Sequence, residues 1–326
     1  MGTVQAEGWR EGEVSGARSE RGGGPQRQDP AAPDIASRLA TRLGGRFQGG
    51  AAPSGAAGAA VTPGGASEAS SAQGPVHPFI EVSDLHFAYD RGTPHERPVL
   101  RGVDLEARPG ELLGIVGANG SGKTTLIQHL NGLLPPQRGR VRVGDRVLEP
   151  GVKLHELLHR QVGLVFQFPE KQLFAESVEE DVAAGPEFAG VPQEQLPERV
   201  RSALECVGLD ADAYGPRAPF ALTWGEKRLV ALAGVLVLAT PCLVLDEPGA
   251  GLDPARRRRV MGLLADLARR TGSTVIVVSH HLDDLFRVAD RVAVLYEGRI
   301  VADGPPAALA GSPDLVRWGL AAPGRA

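Results

Sequence analysis

Large apolar side chains recur in a regular way only from Phe79 onward. From there, short apolar runs alternate with longer stretches of helical spacing. Phe79-Ile80-Glu81-Val82 and Leu85-His86-Phe87-Ala88-Tyr89 predict two strands joined by a turn at Ser83-Asp84. Val99 to Leu105 predicts another, closed by Pro109-Gly110, and Gly139 to Leu148 alternates as a hairpin does. Leu112 to Val116, Val162 to Phe166, Cys242 to Leu245 and Thr274 to Val278 are apolar runs of strand length. Helical spacing follows Thr125. It returns from Ser177 to about Tyr214, with breaks expected at Pro186, Pro192 and Pro197, and again over 226–239 and 256–270. Strands alternating with helices predict an α/β fold whose parallel sheet is covered on both faces.

Residues 1–77 are a different material, rich in Gly, Ala, Pro, Ser and Arg. Such a segment buries too little surface to offset its ordering entropy, so 1–77 is expected to be a disordered extension and 78–326 the folded domain. Within it, Ile35, Leu39, Leu43 and Phe47 recur with Arg38, Arg42 and Arg46, a short basic amphipathic pattern broken by Gly44-Gly45. It reads as a transient helix in a tail, or as a contact for a membrane surface or partner. Met1 and Met261 are the only methionines, which leaves open initiation at a non-Met codon near Val76.

Composition removes several classes of function. Hydrophobic residues at 42% and charged residues at 23% are ordinary for a soluble globular chain. A net charge of -4 supplies no basic field for nucleic acid. Cys206 and Cys242 lie far apart without metal-ligand spacing, which suits a reduced, cytosolic protein. No apolar run approaches the roughly 20 residues of a membrane span, so a membrane role would act through a partner.

The chemistry centres on Gly117-Ala118-Asn119-Gly120-Ser121-Gly122-Lys123-Thr124-Thr125, a match to Gly-x4-Gly-Lys-Ser/Thr between an apolar strand and a helix. Its glycines let main-chain N–H groups converge on a phosphate, with the helix N-terminus behind them. Lys123 would reach the outer phosphates and Thr124 would place its hydroxyl on Mg2+. The chain uses Lys only at 123, 153, 171 and 227, so a lysine here suggests a chemical need. Asp246-Glu247 is the second signal. A carboxylate at a buried strand end beside the loop can hold Mg2+, and its neighbour, pointing the other way, can polarise a water.

In order along the chain stand Tyr89, Gly117–Thr125, Gln167, Leu222-Thr223-Trp224-Gly225-Glu226, Asp246-Glu247-Pro248, Gly251-Leu252-Asp253 and His280. This set resembles the nucleotide-binding subunit of an ATP-binding cassette (ABC) transporter from about Phe79 to the C-terminus. The resemblance implies a P-loop NTPase core with a RecA-like parallel sheet, an N-terminal antiparallel β-subdomain, a helical signature subdomain over about 168–226 and a tail over about 305–326. It implies that Tyr89 stacks on adenine, that Gln167 contacts Mg2+ and the water, that His280 contacts the γ-phosphate, and that Asp253 acts across a dimer. Two ATPase subunits, alike or different, would close head to tail around Mg-ATP, each phosphate loop facing the other chain's signature. The neighbouring His281 and the run Arg256–Arg259 carry no such expectation; the run reads as a solvated helix start.

The signature departs from the family's Leu-Ser-Gly-Gly-Gln. Thr223 keeps a hydroxyl and Glu226 is a mild change, but Trp224 puts an indole where glycine admits main-chain donors. The site built with this signature is expected to be weak, unless the indole points away. A narrower resemblance is to the ATPase subunits of energy-coupling factor and cobalt–nickel importers. It rests on Phe166-Gln167-Phe168-Pro169-Glu170-Lys171-Gln172-Leu173-Phe174, with Pro219-Phe220, Ala231–Leu236 and Val316–Pro323 in agreement. It implies a transmembrane coupling subunit docking on Phe168, Leu173 and Phe174, a substrate-capture membrane protein, a vitamin or metal ion as cargo, and a peripheral position on the cytoplasmic face of the membrane. The alternatives are a conventional ABC importer or exporter subunit, or the degenerate member of a heterodimer. A soluble cassette acting on DNA needs a long insertion that the spacing from Gln167 to Leu222 excludes, and the ribosomal type carries two cassettes.

Overall fold

A computed structural model describes residues 77–152 and 158–320. The extension 1–76, with its amphipathic patch, and the end of the tail beyond Leu320 lie outside the described residues. The chain runs β1 (Ile80–Tyr89), β2 (Arg97–Ala107), β3 (Leu112–Val116), α1 (Lys123–Leu130), β4 (Arg138–Val143), β5 (Arg146–Leu148) and β6 (Val162–Val165). Four helices follow, α2 (Val178–Phe188), α3 (Leu196–Val207), α4 (Ala211–Tyr214) and α5 (Trp224–Leu236). Then come β7 (Cys242–Asp246), α6 (Pro254–Thr271), β8 (Thr274–Val278), α7 (Leu282–Val288), β9 (Arg291–Tyr296), β10 (Arg299–Gly304), α8 (Pro306–Ala310) and α9 (Asp314–Arg317).

The strands form two sheets. One is antiparallel, in the order β2-β1-β4-β5; the other runs β10-β9-β3-β8-β7-β6, parallel except for the edge strand β10. The continuous apolar runs are explained by burial on both faces. Leu113, Ile115, Val244, Ile276 and Val278 pack on one side with α1 and the antiparallel sheet. Leu112, Val116, Leu243, Leu245, Val275 and Val277 pack on the other with α2, α3, α5 and α6. Successive side chains point to opposite faces, so a strand between two cores has no polar face to show. This is the P-loop NTPase arrangement, with its antiparallel sheet and its helical subdomain.

Local chemistry sets the helix starts. Ser177 caps α2 and Thr223 caps α5, each in a reciprocal box with a glutamate at the third helical position, Glu180 and Glu226. Asp253 caps α6 by accepting from the Ala255 and Arg256 N–H groups, with Pro254 next and Gly272 in the left-handed region at the far end. Thus α5 begins at Trp224, ahead of the expected Glu226, and ends at Leu236.

Three expectations are corrected. The turn at Ser83-Asp84 is a bulge inside one strand, with the register shifting between Val82 and Leu85. Asp84 takes a positive φ of 47°, and its N–H is held by the Asp104 carboxylate at 2.9 Å. Pro186 does not break the helix but sits within the last turn of α2, where only one upstream carbonyl loses its partner. Leu173 is buried in the core, so of the three expected docking residues only Phe168 and Phe174 are exposed.

Candidate nucleotide site

The loop after β3 turns under strict steric control. A side chain at Gly117 would run into the Leu295 carbonyl and come within 2.7 Å of the Ser121 hydroxyl. Gly122 takes φ 106° as it enters α1, a conformation that L side chains rarely adopt. The Lys123 ammonium donates to the carbonyls of Gly117 at 2.8 Å and Ala118 at 2.9 Å, tying the loop back on itself. Ser121 does not reach the surface; its hydroxyl is buried beneath the loop without a partner among the described residues.

One cavity of about 890 Å3 gathers most of the expected residues. Gly117, Ala118, Asn119, Gly120, Gly122, Lys123, Thr124 and Thr125 line it, with Tyr89, Gln167, Asp246, Glu247 and His280. The acids are buried strand-end groups rather than a surface pair, and they face different partners. Thr124 Oγ1 donates to Asp246 Oδ2 at 3.0 Å. Glu247 Oε1 accepts from the His280 main-chain N–H at 2.9 Å and from His280 Nδ1 at 2.7 Å. Glu247 takes φ 53°, in the left-handed region, a cost of order 1 kcal/mol or more for a side chain of this kind. Its N–H donates to the Val278 carbonyl, which anchors it to β8.

Burial sets the electrostatics. It pushes the Asp246 carboxyl above the usual aspartate range, against the Thr124 hydrogen bond that favours the ionised form. It also pulls the Lys123 ammonium below the usual lysine range, although Glu247 and Asp246 oppose this. Both charges are therefore under-solvated, and an anion with its own cation would relieve them. The donor set suits Mg2+: a hydroxyl and a carboxylate in contact, and a glutamine lining the same cavity, all hard oxygen ligands.

The signature residues Thr223, Trp224, Gly225 and Glu226 and the cap Asp253 are not among the cavity's lining. Trp224 is 63% exposed at the start of α5. The Thr223 hydroxyl donates to Glu226 at 2.7 Å, and Tyr214 donates to the same carboxylate at 2.7 Å. These bonds, Thr223's first, hold the Glu226 carboxyl down at about 2.

The ABC transporter family profile matches residues 100–250. The energy-coupling factor transporter ATP-binding protein EcfA2 of Clostridium tetani is 42% identical over 246 residues, 75% of this chain and 85% of that protein. Its counterpart in Clostridium perfringens is 43% identical over 226 residues, 69% of this chain and 79% of that one. The chain belongs to the energy-coupling factor family of ABC ATPases.

Solved structures agree. CbiO1 of Clostridium perfringens, described as part of the ABC transporter complex cbiONQ, superposes with a TM-score of 0.65 at 33% identity, covering 74% of this chain and 94% of that one. A dimeric ATP-binding cassette bound to ADP and Pi shares the fold, with a TM-score of 0.62 at 24% identity over 70% of this chain and 98% of the other. As a member of this ABC ATPase family, the chain binds and hydrolyses ATP.

Several contributors were not foreseen. Arg97 and Val99 line the cavity because the β1–β2 hairpin sets Arg97 opposite Tyr89, and Gly319 and Leu320 arrive from the C-terminal segment. The hairpin spacing could have suggested Arg97; the C-terminal pair falls within Val316–Pro323, the stretch that resembles the family's tail, but nothing in that stretch points to the cavity. Tyr89 is backed by Phe87, edge-on at 5.0 Å, and Phe87 by the buried His129, edge-on at 4.8 Å. Tyr89 also bonds the Thr125 hydroxyl at 3.2 Å, so the exposed ring is held from two sides.

Proposed function

We propose that this chain hydrolyses Mg-ATP to energise a membrane importer of the energy-coupling factor type, carrying a vitamin or a transition-metal ion. The observation that carries the site assignment is the pair of divergent acids in the loop cavity, Asp246 on Thr124 and Glu247 on His280. Gly117 to Gly122 and the amides entering α1 would cradle the phosphates, with Lys123 released from its loop carbonyls onto the outer ones. Tyr89 supplies a stacking face for adenine. Thr124, Asp246 and Gln167 would hold Mg2+, which neutralises charge on the phosphates when bound. Glu247 orients and polarises the attacking water, and His280 fixes the Glu247 carboxylate while its ring stands beside the γ-phosphate position.

The signature and Asp253 lie outside the chain's own cavity, which supports a head-to-tail dimer in which they serve the partner's nucleotide. The partner is a second ATPase subunit, identical or related. Phe168 and Phe174, exposed just after Gln167, suit a helix of a transmembrane subunit lying in a groove on the helical subdomain, about 168–226, and a substrate-capture protein completes the importer. No helix among the described residues is long and apolar enough to cross a membrane, so attachment at the cytoplasmic face would run through that subunit. The domain assignment is an extension over 1–77 and an ABC ATPase domain over 78–326, whose C-terminal tail from about 305 reaches the cavity through Gly319 and Leu320.

Glu247→Gln tests the site. The variant is expected to bind Mg-ATP and accumulate as a nucleotide-bound dimer with little turnover. Undiminished hydrolysis removes Glu247 as the water-polarising group.

A further inference from the structure

Behind the two acids lies an arginine that the reaction as described leaves unused. Arg228, on α5, is buried at 7% exposure. Its Nη2 donates both hydrogens to main-chain carbonyls, one to Gln167 at 2.6 Å and one to Glu247 at 3.0 Å. Its Nη1 lies 4.0 Å from the carboxylate of Glu170, which is also buried. Neither Glu170 oxygen accepts a hydrogen bond among the described residues. Glu170 belongs to the single helical turn Pro169–Gln172 that follows Gln167.

Burying a guanidinium and a carboxylate together is costly, and an apolar pair of similar volume commonly serves stability as well or better. The geometry therefore calls for a reason other than stability. Glu247 supplies one. Its main chain is in the left-handed region, so the aim of its carboxylate depends on that peptide being held in place. The Val278 carbonyl holds its N–H, and its C=O accepts from the Ala250 N–H at 3.1 Å and from Arg228, the only one of these contacts that comes from a side chain. Through the second hydrogen of the same nitrogen, the Gln167 peptide is fixed against the Glu247 peptide.

We propose that Arg228 is a positioning residue for ATP hydrolysis, locking the main chains of Gln167 and Glu247 into one register, with Glu170 as its counter-charge. This rests on the reading of Glu247 as the residue that polarises water.

The test is kinetic, on the full chain in its dimer. Arg228→Met alone strands the Glu170 charge and is expected to fold poorly, so the informative protein is Glu170→Gln/Arg228→Met, in which both charges are gone. It is expected to keep its melting temperature and its KM for ATP within ~threefold while kcat falls ~tenfold or more. Arg228→Lys keeps the counter-charge without the planar fork, and kcat is expected to fall severalfold at unchanged KM. Glu170→Gln alone leaves both carbonyl bonds in place, and its kcat is expected to stay within ~twofold. Wild-type kcat in the double variant or in Arg228→Lys overturns the proposal, because the arginine then only neutralises a buried acid. A loss in Glu170→Gln as deep as in the double variant overturns it as well, because the ion pair rather than the carbonyl clamp then matters. Glu247→Gln is the control: full turnover there sinks the site reading itself, whereas lost turnover with a fully active double variant sinks only the role of Arg228.

Discussion

Replacing Trp224 by glycine is expected to raise ATP turnover at the composite site that uses this signature, by up to two orders of magnitude. The structure makes the substitution a clean one. The indole is 63% exposed at the first position of α5, so its removal opens no core cavity. Glycine at a helix start costs under ~1 kcal/mol. In the proposed head-to-tail dimer, the gain would come at the partner's γ-phosphate. A main-chain donor aimed at a developing oxyanion is worth ~3 kcal/mol, which is roughly a hundredfold in rate. An indole that stood before the helix N-terminus would deny that approach. Glu226 adds a second obstacle: its carboxyl is held at about 2, so it is ionised at neutral pH and occupies the Thr223 hydroxyl hydrogen at 2.7 Å. Trp224→Gly/Glu226→Gln should therefore exceed Trp224→Gly, since the amide that replaces the acid carries no charge against the phosphate. The assay is steady-state ATP hydrolysis by the assembled ATPase pair, with kcat and KM measured alongside a thermal melt. A folded Trp224→Gly protein with unchanged kcat refutes the obstruction and means that the indole lies clear of the nucleotide.

Two further outcomes follow from the support of the Tyr89 ring and from burial beneath it. Tyr89→Ala is expected to raise the KM for ATP roughly five- to a hundredfold, the range for loss of one base–aromatic stack, whereas Tyr89→Phe keeps the ring and loses only the bond to Thr125; equal KM values for both variants and wild type would show that the ring does not stack. His129 is held below the usual histidine range by burial, against the Thr125 carbonyl bond, so on acidification the unfolded chain binds this proton before the folded one does. Its contribution to stability is present above ~6.5, the ordinary histidine value, and is lost as pH falls from there through the folded pKa; His129→Leu should flatten that part of the curve in chemical melts between ~5 and ~7, and parallel curves for the two proteins would refute it.

What was legible in the sequence is what neighbouring residues decide among themselves. The loop Gly117–Thr125 is one contiguous stretch, and the buried strands announce themselves as unbroken apolar runs because each lies between two cores. The bulge at Asp84 was not legible, because what keeps the strand going is a carboxylate from β2, Asp104. Leu173 and Phe174 are adjacent apolar residues with opposite fates, and a turn as short as Pro169–Gln172 has no period by which to sort them. The deeper blind spot is the carbonyl oxygen, which every residue type carries alike. Lys123 closes on the carbonyls of Gly117 and Ala118, and Arg228 closes on those of Gln167 and Glu247, so in both cases the partner's identity leaves no mark on its side chain. A conservative-looking substitution hides the same way. Thr223 in place of serine preserves a hydroxyl, yet whether that hydroxyl is free for a phosphate is decided by the residue three places on. A glutamine amide at that place could accept from the hydroxyl only through its single carbonyl oxygen, whereas the Glu226 carboxylate accepts with either oxygen and brings a full negative charge. The change at the end of the motif, which looks milder than the tryptophan, therefore bears directly on the group that looks unchanged.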